Sequence, residues 1–63
     1  MRYRLSLISP AGERVLGYDN RHPKGDHRHY NGRESDYGYK DPEILVRDFL
    51  QDVNQVLSEE EQR

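Results

Sequence analysis

All three histidines of the chain lie in one short polar segment, residues 20–30. The same segment holds three of the ten Lys and Arg residues, an aspartate and a tyrosine. Histidine is the side chain whose unperturbed pKa lets it both accept and donate a proton near neutral pH. If the chain carries out chemistry, we expect that chemistry in this segment, and proton transfer beside a phosphate is what these residue types suit.

A strand over Asp26–Tyr30 places His27 and His29 on one face, because side chains alternate with a period of two. Asp26, Arg28 and Tyr30 then lie on the other face. One interpretation is metal-free RNA cleavage. A histidine or tyrosine takes the 2′-hydroxyl proton, a second histidine protonates the leaving 5′-oxygen, and an Arg or Lys stabilises the charged phosphorane.

Two other interpretations of the histidines stay open. In one, His22 and Asp26 join His27 and His29 around zinc or manganese; the spacing matches no specific metal motif, and we predict neither a metal nor a cofactor. In the other, the segment is a solvated loop without activity. Composition alone favours this last interpretation, because exposed histidine-rich loops are common.

Length and composition describe one small domain over residues 1–63. At this size folding buries only about 60% of the surface of the unfolded chain. The absence of cysteine excludes disulfides, thiolate zinc sites and cysteine nucleophiles. No apolar run is long enough for a membrane span or a signal peptide. We expect a cytoplasmic domain that gains stability as a homo-oligomer or in an obligate complex.

The net charge of −2 hides an uneven distribution. Residues 1–40 carry eight Lys and Arg against five acids, whereas residues 41–63 carry two Arg against seven acids. The basic part suits the phosphates of RNA or DNA, and the acidic part suits a protein contact or solubility. Two solvated faces of a small domain explain the same pattern equally well.

Alternation of apolar and polar residues predicts an antiparallel hairpin at the start of the chain, closed by the turn Ser9–Gly12. Asn31 and Gly32 form a strong type I′ turn signal between two further short strands. The expected strands are 3–8, 13–19, 26–30 and 33–39.

A helix is predicted from Pro42 to about Leu57, with Asp41 as its N-cap. A spacing of 100° per residue gathers seven apolar side chains in one arc that we expect to face the sheet: Leu45, Val46, Phe49, Leu50, Val53, Val56 and Leu57. Residues 59–63 are expected to form a frayed tail. The fold class is therefore α+β: a small antiparallel sheet of three or four strands, with one C-terminal amphipathic helix packed on one face.

Several blocks of the chain resemble the TumE family of small bacterial toxins. They are the run from Val15 to Asn20 (VLGYDN), residues 24–29 (KGDHRH), residues 32–34 (GRE), residues 37–39 (YGY) and the helical DFLQDV at 48–53. The similarity spans about Tyr3 to Val53. The YDN…KGDHRH block is its most specific part.

The resemblance implies the toxin of a type II toxin–antitoxin pair, acting on RNA or translation, with a helix-turn-helix antitoxin as partner. Typical members carry further strands ahead of the position of Arg2, so the chain is expected to be an N-terminally shortened member. Shortening leaves an alternative open: a non-catalytic inhibitor of the phage anti-defence type, which binds and blocks a larger protein target.

With a ribonuclease toxin as the preferred function, we assign His27 and His29 as the acid–base pair in the GDHRH segment. Arg28 and Lys24 are expected to contact phosphate, and Tyr30 to orient or stack on the substrate. The remaining residues of the predicted substrate-binding set are Arg21, His22 and Arg33.

The same basic segment is the predicted contact for a protein partner. Residues 20–33 carry four cations against one acid, Asp26. An antitoxin that covers this segment hides both the phosphate contacts and the histidines. We expect Arg28 and Arg33 to be exposed there.

Overall fold

The computed structural model describes residues 2–20 and 25–61. It contains four strands, β1 (Arg4–Ile8), β2 (Arg14–Asp19), β3 (His27–Tyr30) and β4 (Arg33–Asp36), followed by one helix, α1 (Pro42–Glu61). The α+β prediction is confirmed. Arg21, His22 and Lys24 of the predicted substrate-binding set lie outside the described residues.

The four strands form one antiparallel sheet in the order β1-β2-β3-β4, so each strand pairs with its neighbour in sequence. Asn31 and Gly32 connect β3 to β4 with φ angles of 49° and 84°, as the predicted type I′ turn requires. Strand β4 ends at Asp36, earlier than the predicted Tyr39. After Asp36 the chain turns towards the helix, and the Tyr37 hydroxyl donates a hydrogen bond to Asp48 at 2.7 Å.

Helix α1 begins where the sequence predicts. The Asp41 carboxylate accepts a hydrogen bond from the Ile44 amide at 2.9 Å, which satisfies one of the free N–H groups of the first turn. The helix continues to Glu61, one turn beyond the predicted Leu57. Glu59 accepts a hydrogen bond from the Tyr30 hydroxyl at 2.9 Å, so the sheet holds part of the segment expected to fray.

The core lies between the helix and one face of the sheet. Leu16, Tyr18 and Leu45 are at most 3% exposed and form its centre. Tyr18 meets the ring of Phe49 edge-on, with 5.7 Å between the ring centroids. Among the residues that the structure describes, no helix covers the second face of the sheet, and we call it the open face.

The helix is rotated from the orientation predicted by its apolar arc. Leu45 and Val56 are buried, whereas Val46, Leu50 and Leu57 of the same arc are about half exposed. Two aspartates expected on the solvent side, Asp48 and Asp52, instead accept hydrogen bonds from sheet-side tyrosines. The tyrosines cause this difference, because their buried hydroxyls need acceptors that only the polar arc provides.

Candidate functional site

Both predicted catalytic histidines project from β3 onto the open face. Leu16 and Tyr18 of β2 face the helix, and strand alternation therefore turns Gly17 and Asp19 to the open face. In the sheet register His29 pairs with Gly17, and His27 pairs with Asp19. The predicted shared face of the two imidazoles is confirmed.

One carboxylate lies beside both imidazoles. Oε2 of Glu34 is 3.6 Å from Nδ1 of His27, and Oε1 of Glu34 is 3.6 Å from Nε2 of His29. Glu34 pairs directly with His29 on β4 and reaches His27 diagonally. One carboxylate is therefore placed beside both rings, at distances longer than a hydrogen bond.

His27 is the buried polar residue of the site, at 9% exposure. Neither of its ring nitrogens has a hydrogen-bond partner among the described residues, since the Glu34 contact is longer than a hydrogen bond. A buried polar group without a hydrogen bond costs about 1–3 kcal/mol. Such a group is uncommon in a folded protein, and catalytic residues are among the groups that bear this cost.

Arg14 adds a cation to the open face. Its guanidinium lies over Gly17, so close that a Cβ atom at position 17 would overlap it. The same guanidinium approaches Oδ2 of Asp19 at 3.4 Å. Arg14 thus covers the position that pairs with His29. Neither Arg14 nor Glu34 was predicted for the site from the sequence; the one available signal was a glycine inside a strand, which marks a close approach.

A cavity of about 320 Å³ opens at the end of this face and is lined by Arg2, Tyr3, Arg4, Asp19 and Asn20. Asp19 connects the cavity to the site, because it pairs with Arg4 on one side and with His27 on the other. Two arginines therefore line a cavity that is separated from the buried histidine by the Asp19 strand.

Arg28 lies on the opposite side of the sheet from the two histidines. Its Nε donates to Oδ2 of Asp52 at 2.6 Å, and the Tyr18 hydroxyl donates to the same oxygen at 2.5 Å. The Arg28 side chain is 33% exposed and is engaged by the helix, so the expectation of a free, exposed Arg28 is wrong. In this position Arg28 joins the sheet to the helix.

In the contact between Arg28, Asp52 and Tyr18, the electrostatics favour a charged Arg28–Asp52 ion pair and a neutral Tyr18. Burial and the hydrogen bond to Asp52 raise the pKa of Tyr18 to about 12. Burial alone raises the pKa of Asp52, but the hydrogen bonds from Arg28 and Tyr18 outweigh it and hold that pKa below its usual value. The hydrogen bond to Asp52 raises the pKa of Arg28 above its ordinary value.

Tyr30 and Arg33 also lie on the helix side of the sheet. The Tyr30 hydroxyl donates to Glu59, and the Arg28 guanidinium lies 4.9 Å from the centre of the Tyr30 ring. Arg33 pairs with Tyr30 in the register and is exposed. The structure therefore brings His27 and His29 together with Arg14 and Glu34, and does not bring them together with Arg28, Tyr30 or Arg33.

Within residues 2–20 and 25–61, no group of three or more His, Asp or Glu side chains has the arrangement needed to hold a metal ion. His22, the third nitrogen of the metal interpretation, lies outside that part of the chain. In the same part of the chain, no helix is both long and apolar enough to cross a membrane.

The chain is therefore a small α+β protein, in which one helix covers an antiparallel sheet and a pair of histidines lies on the open face. The chain matches the family model described as Toxin TumE over residues 1–57. The match covers most of the 63 residues, and the chain belongs to the TumE toxin family. No curated protein and no solved structure shows a significant match.

Proposed function

We propose that this toxin cleaves RNA without a metal ion, using His27 and His29 as its acid–base pair. The observation that carries the proposal is the pair of imidazoles held on the open face with one Glu34 oxygen beside each.

The reaction is a transesterification at one phosphodiester. His27 accepts the proton of the 2′-hydroxyl, and the 2′-oxygen forms a bond to phosphorus. The bond from phosphorus to the 5′-oxygen breaks, and His29, 35% exposed and initially protonated, donates its proton to that oxygen. The products are a 2′,3′-cyclic phosphate and a 5′-hydroxyl, and proton exchange with water restores both histidines.

Arg14 is the cation assigned to the charged phosphorane. It lies over Gly17, next to the position of His29, and a positioned cation at that point stabilises charge that develops in the transition state. The cavity lined by Asp19, the register partner of His27, provides Arg2 and Arg4 for a neighbouring phosphate of the RNA strand. In this assignment Arg28 and Tyr30 stabilise the fold and do not contact the substrate.

The test compares purified wild-type chain with the His27→Ala, His29→Ala double variant on a single-stranded RNA of mixed sequence. We expect cleavage to fall by about 10²-fold or more, and we expect wild-type products to end in a cyclic phosphate. Arg33→Ala is the matched control, because Arg33 is an exposed cation on the other side of the sheet. Its activity should equal that of the wild type.

Two results would reject this mechanism. Wild-type activity that disappears with a chelator and returns with manganese or zinc would require the metal interpretation. Growth arrest that survives loss of both histidines would instead indicate the non-catalytic function, in which the chain blocks another protein.

A further inference from the structure

Three large apolar side chains of helix α1 are about half exposed, and they lie along one flank of the helix. We call them the apolar ridge: Val46, Leu50 and Leu57, which are 48%, 53% and 53% exposed. Together they leave on the order of a few hundred Å² of apolar surface in water, the size of patch that often marks an interaction site.

The ridge is continuous along the helix, and the groove at Leu57 reaches the first strand. Val46, Leu50 and Leu57 fall within one narrow arc at 100° per residue. On the opposite flank of the helix, Asp48, Asp52 and Glu59 accept hydrogen bonds from Tyr37, Arg28 and Tyr30, respectively. The ridge therefore lies on the β1 side, where a groove of about 280 Å³ is lined by Leu7, Ile8, Ser9, Pro10, Val15, Val56, Leu57 and Glu60.

Strand β1 is an edge of the sheet beside this ridge. It pairs with β2 on one side only, within residues 2–20 and 25–61. The second edge of β1 presents backbone N–H and C=O groups to an incoming strand, as in recognition by strand addition. A segment that pairs with Arg4–Ile8 would therefore lie next to Ile8 and the helix.

The charge around the ridge indicates which partner fits. Three of the six carboxylates of helix α1 are bonded on the opposite flank, whereas Glu60 lines the groove directly. A second copy of the chain paired through β1 would bring two such acidic helices together. A segment with Lys or Arg beside its apolar residues would instead meet opposite charge.

We propose that the β1 edge and the apolar ridge form the antitoxin-binding surface, and that they take an extended antitoxin segment with alternating apolar and basic residues. The backbone of that segment pairs with β1, its apolar side chains cover Leu50 and Leu57, and its cations approach Glu60. This inference rests on the toxin role of the proposed function but not on RNA cleavage, because the surface lies on the other side of the sheet from His27 and His29.

The test measures binding of the purified chain to the purified protein encoded by the neighbouring gene, by titration calorimetry. The Leu50→Ser, Leu57→Ser double variant should raise Kd by about 10²-fold or more, since each leucine loses its apolar burial in the complex. Gln51→Ser with Gln55→Ser is the matched control, because both glutamines are exposed on the same turns outside the ridge. The control should bind like the wild type.

Two further measurements make the test specific. Amide hydrogen exchange in Arg4–Ile8 should slow in the complex if a strand is added to β1. Glu60→Lys should weaken binding about 10-fold and reduce its dependence on salt, because it reverses a charge at the groove. The His27→Ala, His29→Ala variant should bind normally, which separates failure of this surface from failure of the cleavage mechanism.

Three outcomes would overturn the proposal. One is absence of a complex, or a complex that the leucine variant leaves intact. Another is loss of binding in Arg33→Ala alone, which would place the partner on the basic segment. The third is a wild-type dimer that the leucine variant converts to monomer, which would identify a second copy as the occupant of the ridge.

Discussion

The Nδ1 atom of His27 lies 3.6 Å from Oε2 of Glu34, and this contact is the nearest ionic neighbour that the structure gives the buried imidazole. The distance is too long for a hydrogen bond, so the carboxylate acts on the ring by charge. Glu34 is 47% exposed and also lies beside His29, so one carboxylate is placed next to both imidazoles.

Replacing this carboxylate tests its role directly. Glu34→Gln keeps the size of the side chain and removes its charge, so we expect kcat for RNA cleavage to fall about 10-fold or more with little change in KM. Steady-state kinetics on a short RNA will measure both constants. Ser35→Ala is the control, because Ser35 is exposed and pairs with Arg28 on the other face. Equal activity of Glu34→Gln and wild type would remove Glu34 from the mechanism.

Gly17 offers a way to move Arg14 without changing its charge. A Cβ atom at position 17 would overlap the Arg14 guanidinium, the flexible end of a long side chain, which can shift at small cost. We expect Gly17→Ala to reduce cleavage in the same direction as Arg14→Ala, which should lose about 10²-fold if the cation stabilises the phosphorane. Thermal unfolding should show that Gly17→Ala remains folded.

Gly38→Ala is the matched control for this pair, since a Cβ atom there meets nothing within 4 Å. It should keep full activity. Wild-type activity in both Gly17→Ala and Arg14→Ala would contradict the assignment of Arg14 to the phosphate.

Much of the fold can be predicted from local signals in the sequence. The Asn31–Gly32 turn and the Asp41 cap each depend on a few neighbouring residues, and the structure confirms both. The orientation of the helix could not be predicted in this way. It depends on Tyr18 and Tyr37, whose hydroxyls find acceptors on Asp52 and Asp48, and such long-range pairs leave no periodic pattern.

The candidate site likewise combines features that local sequence signals predict with features that depend on long-range contacts. Alternation along β3 correctly placed His27 and His29 on one face, but proximity in sequence also grouped Arg28 with them. Arg28 is held instead by Asp52, 24 residues later. The carboxylate that does reach the histidines comes from β4, and a cation from β2 lies over Gly17; only the sheet register shows that Gly17 and Glu34 flank His29.

The structural role of Arg28 predicts a loss of stability rather than of chemistry. Arg28→Ala removes a charged hydrogen bond to the largely buried Asp52, and we expect a cost of about 2 kcal/mol. For a domain of this size that lowers Tm by roughly 10 °C. Arg33→Ala, at an exposed position, should change Tm little. Cleavage measured well below Tm should be unchanged in Arg28→Ala, and a loss of cleavage in the folded variant would return Arg28 to the substrate site.

Tyr18 predicts how the fold responds to alkali. Burial and the hydrogen bond to Asp52 raise its pKa from 10.0 to about 12, so the folded state retains this proton more strongly than the unfolded state. The resulting stabilisation is complete below pH 10 and is lost as the pH rises through about 12. Urea unfolding at a series of pH values, with tyrosinate absorbance followed in parallel, should show stability falling across this interval. Tyr18→Phe should be less stable at neutral pH, because Asp52 loses a hydrogen bond, and should show a shallower alkaline decline. An equal alkaline decline in the two proteins would show that Tyr18 does not contribute to it.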